Sequence, residues 1–530
     1  MIPGFLSAAA VICVLFPMSA GCGKSADGHA GEPAVTNESA AANQPGEPAG
    51  ALSEHVRLRW SYPCGNGGVQ RDQDMVQAAV NAYLEEKINA EAELIPLDWS
   101  VFKNRMTLML QSQEDLDLAW VSDWVGYYTF AENGILLPLD KLLGAYGRGI
   151  ISVTAPILLS GPVYKGKLYG LPTNKEIAQY GAMYFKSEII DKYGFDVNSI
   201  KYLKDLEPWW QTIKENEPDL TPIYFSTEDS PINWLRLPVS AEYANDRDVR
   251  YFDVFGGSRT AAIRIDVREN KAVYAYDLPD VEAFYRLIRD WYLKGYINQD
   301  ASVNQTNFQD QFNAGKSWQV GSTYQPGQLE FWQNALNNTP LTLLKGGKPL
   351  ATTSTCTAAL TAIPAVSRNP ERAMMLINLM YTDPYLVNLI NYGVEGRNYV
   401  MRDGRMQLPE GVSNWGGNGY QPGVAWEFGN AFLLNELAGD IPDKYQRMRE
   451  FNSAEVTMSP LFGFVFIQEP VKTEIAAVLA AIDEYALILE NGLDDTDKTL
   501  SALKDKVYGN GMQKIIDEVQ RQYDEWRAGK

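Results

Sequence analysis

The polar and apolar positions are most informative between residues 56 and 121. Residues 56–63, VRLRWSYP, form a short run rich in β-branched and aromatic side chains and predict a strand. The glycine-rich CGNGGVQ turns the chain out of it. Residues 72–88 place Met75, Ala78, Ala79, Ala82, Tyr83 and Ile88 on one side and predict an amphipathic helix. Residues 92–97 (AELIPL) and 116–121 (LDLAWV) predict two more strands, with a helix at 101–111 between them. Strand and helix in alternation at this spacing predict an α/β fold with a parallel sheet covered on both faces. Further on, the neighbours Trp209 and Trp210 in EPWW read as helix-packing residues with one face exposed. The acidic LDDTDK (493–498) reads as a helix N-terminus capped by Thr496 or Asp497. It lacks the glycine and distal glutamate of a calcium loop, so no metal site is expected there.

The N-terminal pattern is different. Residues 5–18 are mostly apolar and carry no charge, a length that suits a signal peptide and is short for a membrane span. They end in Ser19-Ala20-Gly21-Cys22, which resembles the lipobox of bacterial lipoproteins, whose cysteine is acylated. Gly23-Lys24-Ser25 imitates the tail of a phosphate-binding loop, but Met18 stands where that loop needs its first glycine. Residues 1–21 are therefore read as a signal peptide. Residues 22–54, rich in Ala, Gly, Pro, Ser, Asn and Glu, are read as a lipid-anchored tether too polar to offset its ordering entropy. A flexible chain of that length reaches roughly 30 Å root-mean-square. Such a tether suits a Gram-positive-like surface, or a periplasm if an outer membrane exists.

Composition narrows the chemistry. The 530 residues contain 46 Lys plus Arg against 66 Asp plus Glu, a net charge of −20 that argues against nucleic acid. The only histidines are His29 and His55, so the body beyond residue 55 holds no Ser/His/Asp or Cys/His nucleophile and no histidine-ligated zinc. A carboxylate-pair hydrolase stays open, because it needs only Asp and Glu. Of four cysteines, Cys13 leaves with the signal peptide and Cys22 carries lipid. Cys64 and Cys356 remain, either as a pair or, on the plainer reading, as two buried thiols. The turn Gly65-Asn66-Gly67-Gly68-Val69-Gln70 lacks the third glycine of a dinucleotide fingerprint, and no cofactor is expected.

Several longer segments share an order seen elsewhere. They include GKLYGLPTNKE (166–176), NGILLPLDKLL (133–143), WYLKGYINQDAS (291–302), FNAGKSWQVGSTYQPG (312–327) and LTAIPAVSRNPERAMMLINLMYTDP (360–384). INYGVEGRNYV (390–400) and AWEFGN (425–430) complete the series. From His55 onward the chain resembles the solute-binding lipoproteins of bacterial ABC importers. The likeness is to the maltose-type, carbohydrate-importer cluster and its large branch with a C-terminal extension. The resemblance implies a two-lobed α/β Venus-flytrap fold, with one lobe from 55–172 plus 360–402 and the other from 173–359 plus 403–530. It also implies a monomeric binder that captures a solute and hands it to a permease, without catalysis of its own.

A sugar presents C–H faces and hydroxyl edges, so its binder needs flat aromatic rings and polar groups; 13 Trp and 29 Tyr supply the rings. The candidates are Ser122, Asp123 and Trp124 after the third strand, and Asn174, Lys175 and Glu176 after the first crossing. The resemblance places Tyr324 at the cleft; Glu395 and Arg397 lie near the returning crossing, Trp415 sits on a Gly/Asn loop, and Trp426 precedes Glu427 and Asn430. Lys175 with Glu176 reads equally as an ion pair, Glu395 and Arg397 equally as salt-bridge partners, and any single aromatic equally as core. A peptide or other-solute receptor on the same fold remains an alternative, because fold alone does not choose a ligand.

Overall fold

The computed structural model describes residues 52–65, 67–226, 251–254, 262–306 and 308–530. The expected signal peptide and Cys22 lie outside the described residues.

The chain opens with β1 (Val56–Cys64), α1 (Gln73–Ile88), β2 (Ala90–Asp98), α2 (Trp99–Gln111) and β3 (Leu118–Val121). It continues through β4 (Leu171–Pro172), β5 (Tyr180–Lys186), α3 (Glu207–Asn216), α4 (Pro279–Leu293), β6 (Gln319–Tyr324) and β7 (Leu341–Gly346). Next come β8 (Leu360–Ala362), α5 (Pro370–Thr382), α6 (Pro384–Tyr392) and α7 (Lys444–Ala454). The helices α8 (Lys472–Asn491), α9 (Thr496–Gly509) and α10 (Met512–Ala528) end the chain.

The first sheet has the order β2-β1-β3-β8-β4. β1 pairs in parallel with β2 from Val56↔Ala90 to Cys64↔Asp98 and with β3 at Trp60↔Leu118. The expected parallel arrangement holds for these three strands. β8 is antiparallel to both β3 and β4, because it belongs to chain returning from elsewhere, so the whole sheet is mixed. The helix α1 corrects one expectation. Its buried stripe is Val76, Val80, Leu84 and Ile88, a run of i, i+4 steps, whereas Met75 is 39% exposed. The branched side chains reach the sheet, and Ala79 and Tyr83 pack only at the flank of the core.

A first core gathers Leu58, Trp60 and Tyr62 with Phe102, Trp120, Leu360 and Tyr381. Tyr420, Val424, Phe428, Ala431 and Leu434 belong to the same core. That corrects the assignment of all of 403–530 to the second lobe. The cause is the face of β1, where the Phe428 ring packs edge-on against Trp60 at 4.7 Å and against Tyr62 at 5.4 Å.

A second core is built on the antiparallel sheet β6-β5-β7, with Met183 and Phe185 facing α3, α4, α8, α9 and α10. Trp209 and Trp210 are both buried in it, not half-exposed as expected. Trp210 packs edge-on against Trp291 at 4.7 Å and donates from Nε1 to Gln319 Oε1 at 3.3 Å. The acidic turn before α9 does start a helix, but its cap is Asp495, whose Oδ1 accepts from the Lys498 backbone N–H at 2.8 Å.

The chain passes between the cores at 173–179, at 352–359 and again after Leu434. A small cluster of Leu158, Ile177, Ala351, Cys356 and Phe462 fills the space at these passages. Cys356 packs there against Gly161, where an added Cβ would lie 2.3 Å from the Cys356 Cβ. Cys64 belongs to the first core, and both thiols are buried and free.

The corrected helix face makes a direct test. Leu84→Ala is expected to cost about 2–5 kcal/mol, the usual range for emptying a core leucine site. Met75→Ala is expected to stay within about 0.5 kcal/mol, as surface changes do. Urea unfolding of the two variants separates them, and equal losses would restore the original reading of α1.

Candidate functional site

Sheets of this kind place ligands beyond the carboxyl ends of their strands. At the end of β2, Asp98 Oδ1 accepts from the Ser100 backbone N–H at 2.9 Å, capping α2 and setting Trp99 at its first position. At the end of β3, the buried Ser122 accepts from the Val125 N–H at 3.2 Å through Oγ. This turns Asp123–Val125 into a single helical turn, ended by Gly126 at φ 115°. Trp124 is left 46% exposed. From the far end of the sequence, the irregular segment before α7 brings in Trp426, 39% exposed.

These rings meet. Trp99 and Trp426 stack at 5.7 Å with 11° between planes, and Trp124 lies 6.0 Å from Trp99. The buried Trp120 backs all three, at 5.7 Å from Trp99 and Trp124 and 5.9 Å from Trp426. Its Nε1 donates to the Glu427 carbonyl at 2.9 Å, which holds the Trp426 segment down. Gly429, at φ 74°, lets that segment pass Met380, whose carbonyl oxygen would sit 2.7 Å from an added Cβ.

Asn174 fastens the same segment to the first crossing. Its N–H donates to the Gly429 carbonyl at 2.9 Å and its carbonyl accepts from the Ala431 N–H at 3.0 Å. Its Nδ2 also donates to Asn430 Oδ1 at 3.1 Å. Asp123 ties the third strand to the second crossing, accepting from Ser354 Oγ at 2.5 Å; burial pushes its carboxyl above the ordinary value. Lys175 and Glu176 form an ion pair of 2.7 Å, largely buried at the first crossing. The neighbouring Lys175 carbonyl and Ile177 N–H are both held by the Asn452 side chain of α7.

Of the sequence candidates, Ser122, Asp123, Trp124, Asn174 and Trp426 come together at this edge. Tyr324 stands on the other lobe, opposite Tyr180 where β6 meets β5. Lys345 of β7 places its Nζ 4.8 Å from the Tyr180 ring and 5.3 Å from the Tyr324 ring. The Tyr180 hydroxyl donates to Glu455 Oε2 at 2.9 Å. Glu395, Arg397 and Trp415 make separate contacts. Arg397 pairs with Asp72 at 3.0 Å, Glu395 is exposed in the same turn, and Trp415 packs 6.4 Å from Tyr392.

Sequence reasoning missed Trp99, Tyr180 and Glu427. The Asp-x-Ser signature at 98–100 would have started α2 two residues earlier and placed Trp99 at a strand end. Nothing local marks Glu427. It is 0% exposed, and neither carboxylate oxygen meets a hydrogen-bond donor among the described residues. Burial pushes its carboxyl up to about 9, so it is held protonated at neutral pH.

This carboxyl makes stability depend on pH. Between the ordinary 4.5 and about 9 the unfolded chain has released a proton that the folded chain keeps. Stability from this group is therefore lost as pH rises through that window, by up to about 1.4 kcal/mol per pH unit. Glu427→Gln is expected to match the parent at pH 4 and exceed it in urea unfolding at pH 8. A parallel pH dependence in both proteins would show that Glu427 is ionised in the fold.

Comparison with known proteins places this geometry. Residues 78–393 match the family described as bacterial extracellular solute-binding protein. Residues 460–528, which hold α8 to α10, match a domain of unknown function, DUF3502. A carbohydrate ABC transporter substrate-binding protein of Streptococcus pneumoniae serotype 4 (strain ATCC BAA-334 / TIGR4) is 26% identical over 461 residues, 86% of this chain and 89% of that one. The N-glycan transport solute binding protein NgtS from Streptococcus pneumoniae superposes with a TM-score of 0.73 at 23% identity, over 89% of this chain and 99% of that one. The alginate-binding protein AlgQ2, crystallised without calcium ion, superposes with a TM-score of 0.58 at 14% identity, over 90% of this chain and 100% of that one. Two lobes, crossings between them and a family match over more than half the chain agree: this chain belongs to the bacterial extracellular solute-binding proteins.

Proposed function

We propose that this protein captures an oligosaccharide outside the cell and delivers it to the permease of an ABC transporter. The observation that carries the reading is the indole cluster of Trp99, Trp124 and Trp426, partly open to solvent at the carboxyl edge of the first sheet. Such rings receive the C–H face of a sugar, and the polar groups around them can answer its hydroxyls. Two relatives support the choice of ligand, one by a name that includes carbohydrate and one by N-glycan transport. Capture works by differential affinity: a ligand touching both lobes stabilises the closed form more than the open one. The binder is read as a monomer without catalysis of its own. Acylation at Cys22 would hold it at the outer face of the cell membrane.

A thermal-shift screen against oligosaccharides, polyols and peptides, with product analysis of every hit, tests this. A saturable rise in melting temperature with an oligosaccharide recovered intact is expected, since native-state binding stabilises by mass action. Trp124→Ala and Trp426→Ala are each expected to weaken binding about 30-fold, equivalent to ~2 kcal/mol for a buried aromatic contact. Recovery of cleaved sugar would replace the binder with a hydrolase, and hits among peptides alone would overturn the carbohydrate assignment.

A further inference from the structure

The second lobe carries an unspent charge beside the first crossing. β5 begins at Tyr180, a few residues after Asn174, and its partner strands bring Tyr324 and Lys345 to the same end of the sheet. The Lys345 side chain is exposed, and its ammonium is held near the two tyrosine rings, at 4.8 Å and 5.3 Å. Ring quadrupoles favour a cation there and fix its position.

Several lysines of this acidic chain spend their charge on carboxylates, as Lys175 does on Glu176, Lys444 on Asp440 and Lys504 on Glu282, while others, such as Lys186 beside the Phe312 ring, have no such partner among the described residues. Lys345 belongs with the latter. No carboxylate of the described residues lies within 4.0 Å of it, and it donates no hydrogen bond to them. Glu455, which shares this corner, accepts from the Tyr180 hydroxyl instead. The ammonium is therefore positioned by aromatic faces with its donors still open.

We propose that Lys345, framed by Tyr180 and Tyr324, receives the carboxylate of an acidic sugar residue in the bound glycan. The inference rests on the oligosaccharide reading above and narrows it. The net charge of −20 repels an acidic ligand at long range. Salt screens that field beyond about 8 Å, whereas a direct ammonium–carboxylate contact persists. Uronic and sialic acids both offer the required group.

The test is calorimetric titration of the full chain, Lys345→Met and Lys345→Arg with two matched pairs of oligosaccharides. One pair is an N-glycan chain with and without terminal sialic acid, the other a glucan trisaccharide with and without terminal glucuronic acid. The parent is expected to bind the acidic member of one pair about tenfold more tightly, and that pair identifies the acid. Lys345→Met should remove the preference by lowering the affinity for the acidic member more than for the neutral one, while Lys345→Arg should keep it. Equal affinity for both members of each pair, or an equal loss for both in Lys345→Met, would overturn the assignment to Lys345 and leave the oligosaccharide reading standing. Binding of no member by the parent would remove both.

Discussion

The short backbone ladder between Asn174 and residues 429–431 is the contact on which the geometry of the site depends. One side of it is the first crossing between lobes. The other is the irregular segment that carries Trp426. Both carbonyl and amide of Asn174 are committed, and the Asn174–Asn430 side-chain bond is buried with them. Breaking the ladder would strand buried polar groups, a cost far above that of an exposed bond. Any rotation at this crossing is thereby felt at the indole cluster.

This arrangement explains why a wall of the site needs no regular secondary structure. Glycine at 429, the Trp120–Glu427 hydrogen bond and the Phe428 ring against Trp60 each hold one side of the segment. The rings then stand on a backbone fixed by bonds at both ends. The second lobe solves the same problem differently, with antiparallel strands whose register alone brings Tyr180, Tyr324 and Lys345 together.

The parts of this structure legible in the sequence are those set by local pattern. β1, β2, β3 and the helices between them follow from short-range periodicity, and only their ends moved. Trp124 was reachable because it comes three residues after the end of a strand. What stayed hidden depends on contacts across hundreds of residues. The packing of Tyr420 and Phe428 on β1 has no local signal, nor does the burial of Glu427. The face of α1 was misassigned because small alanines imitate an apolar stripe while branched side chains do the packing. For Arg397 the salt-bridge alternative offered by the sequence is the contact the structure shows, with Asp72 as its partner.

The first core draws on chain before residue 172 and on chain as late as Leu434, with Trp120 and Glu427 joined across 307 residues. A chain emerging from its N-terminus therefore cannot finish this core until most of the polypeptide is out. The face of β1 formed by Trp60 and Tyr62 stays uncovered through that interval, and contacts of such sequence separation form slowly. During biogenesis this is the surface that an escort protein would have to shield from aggregation.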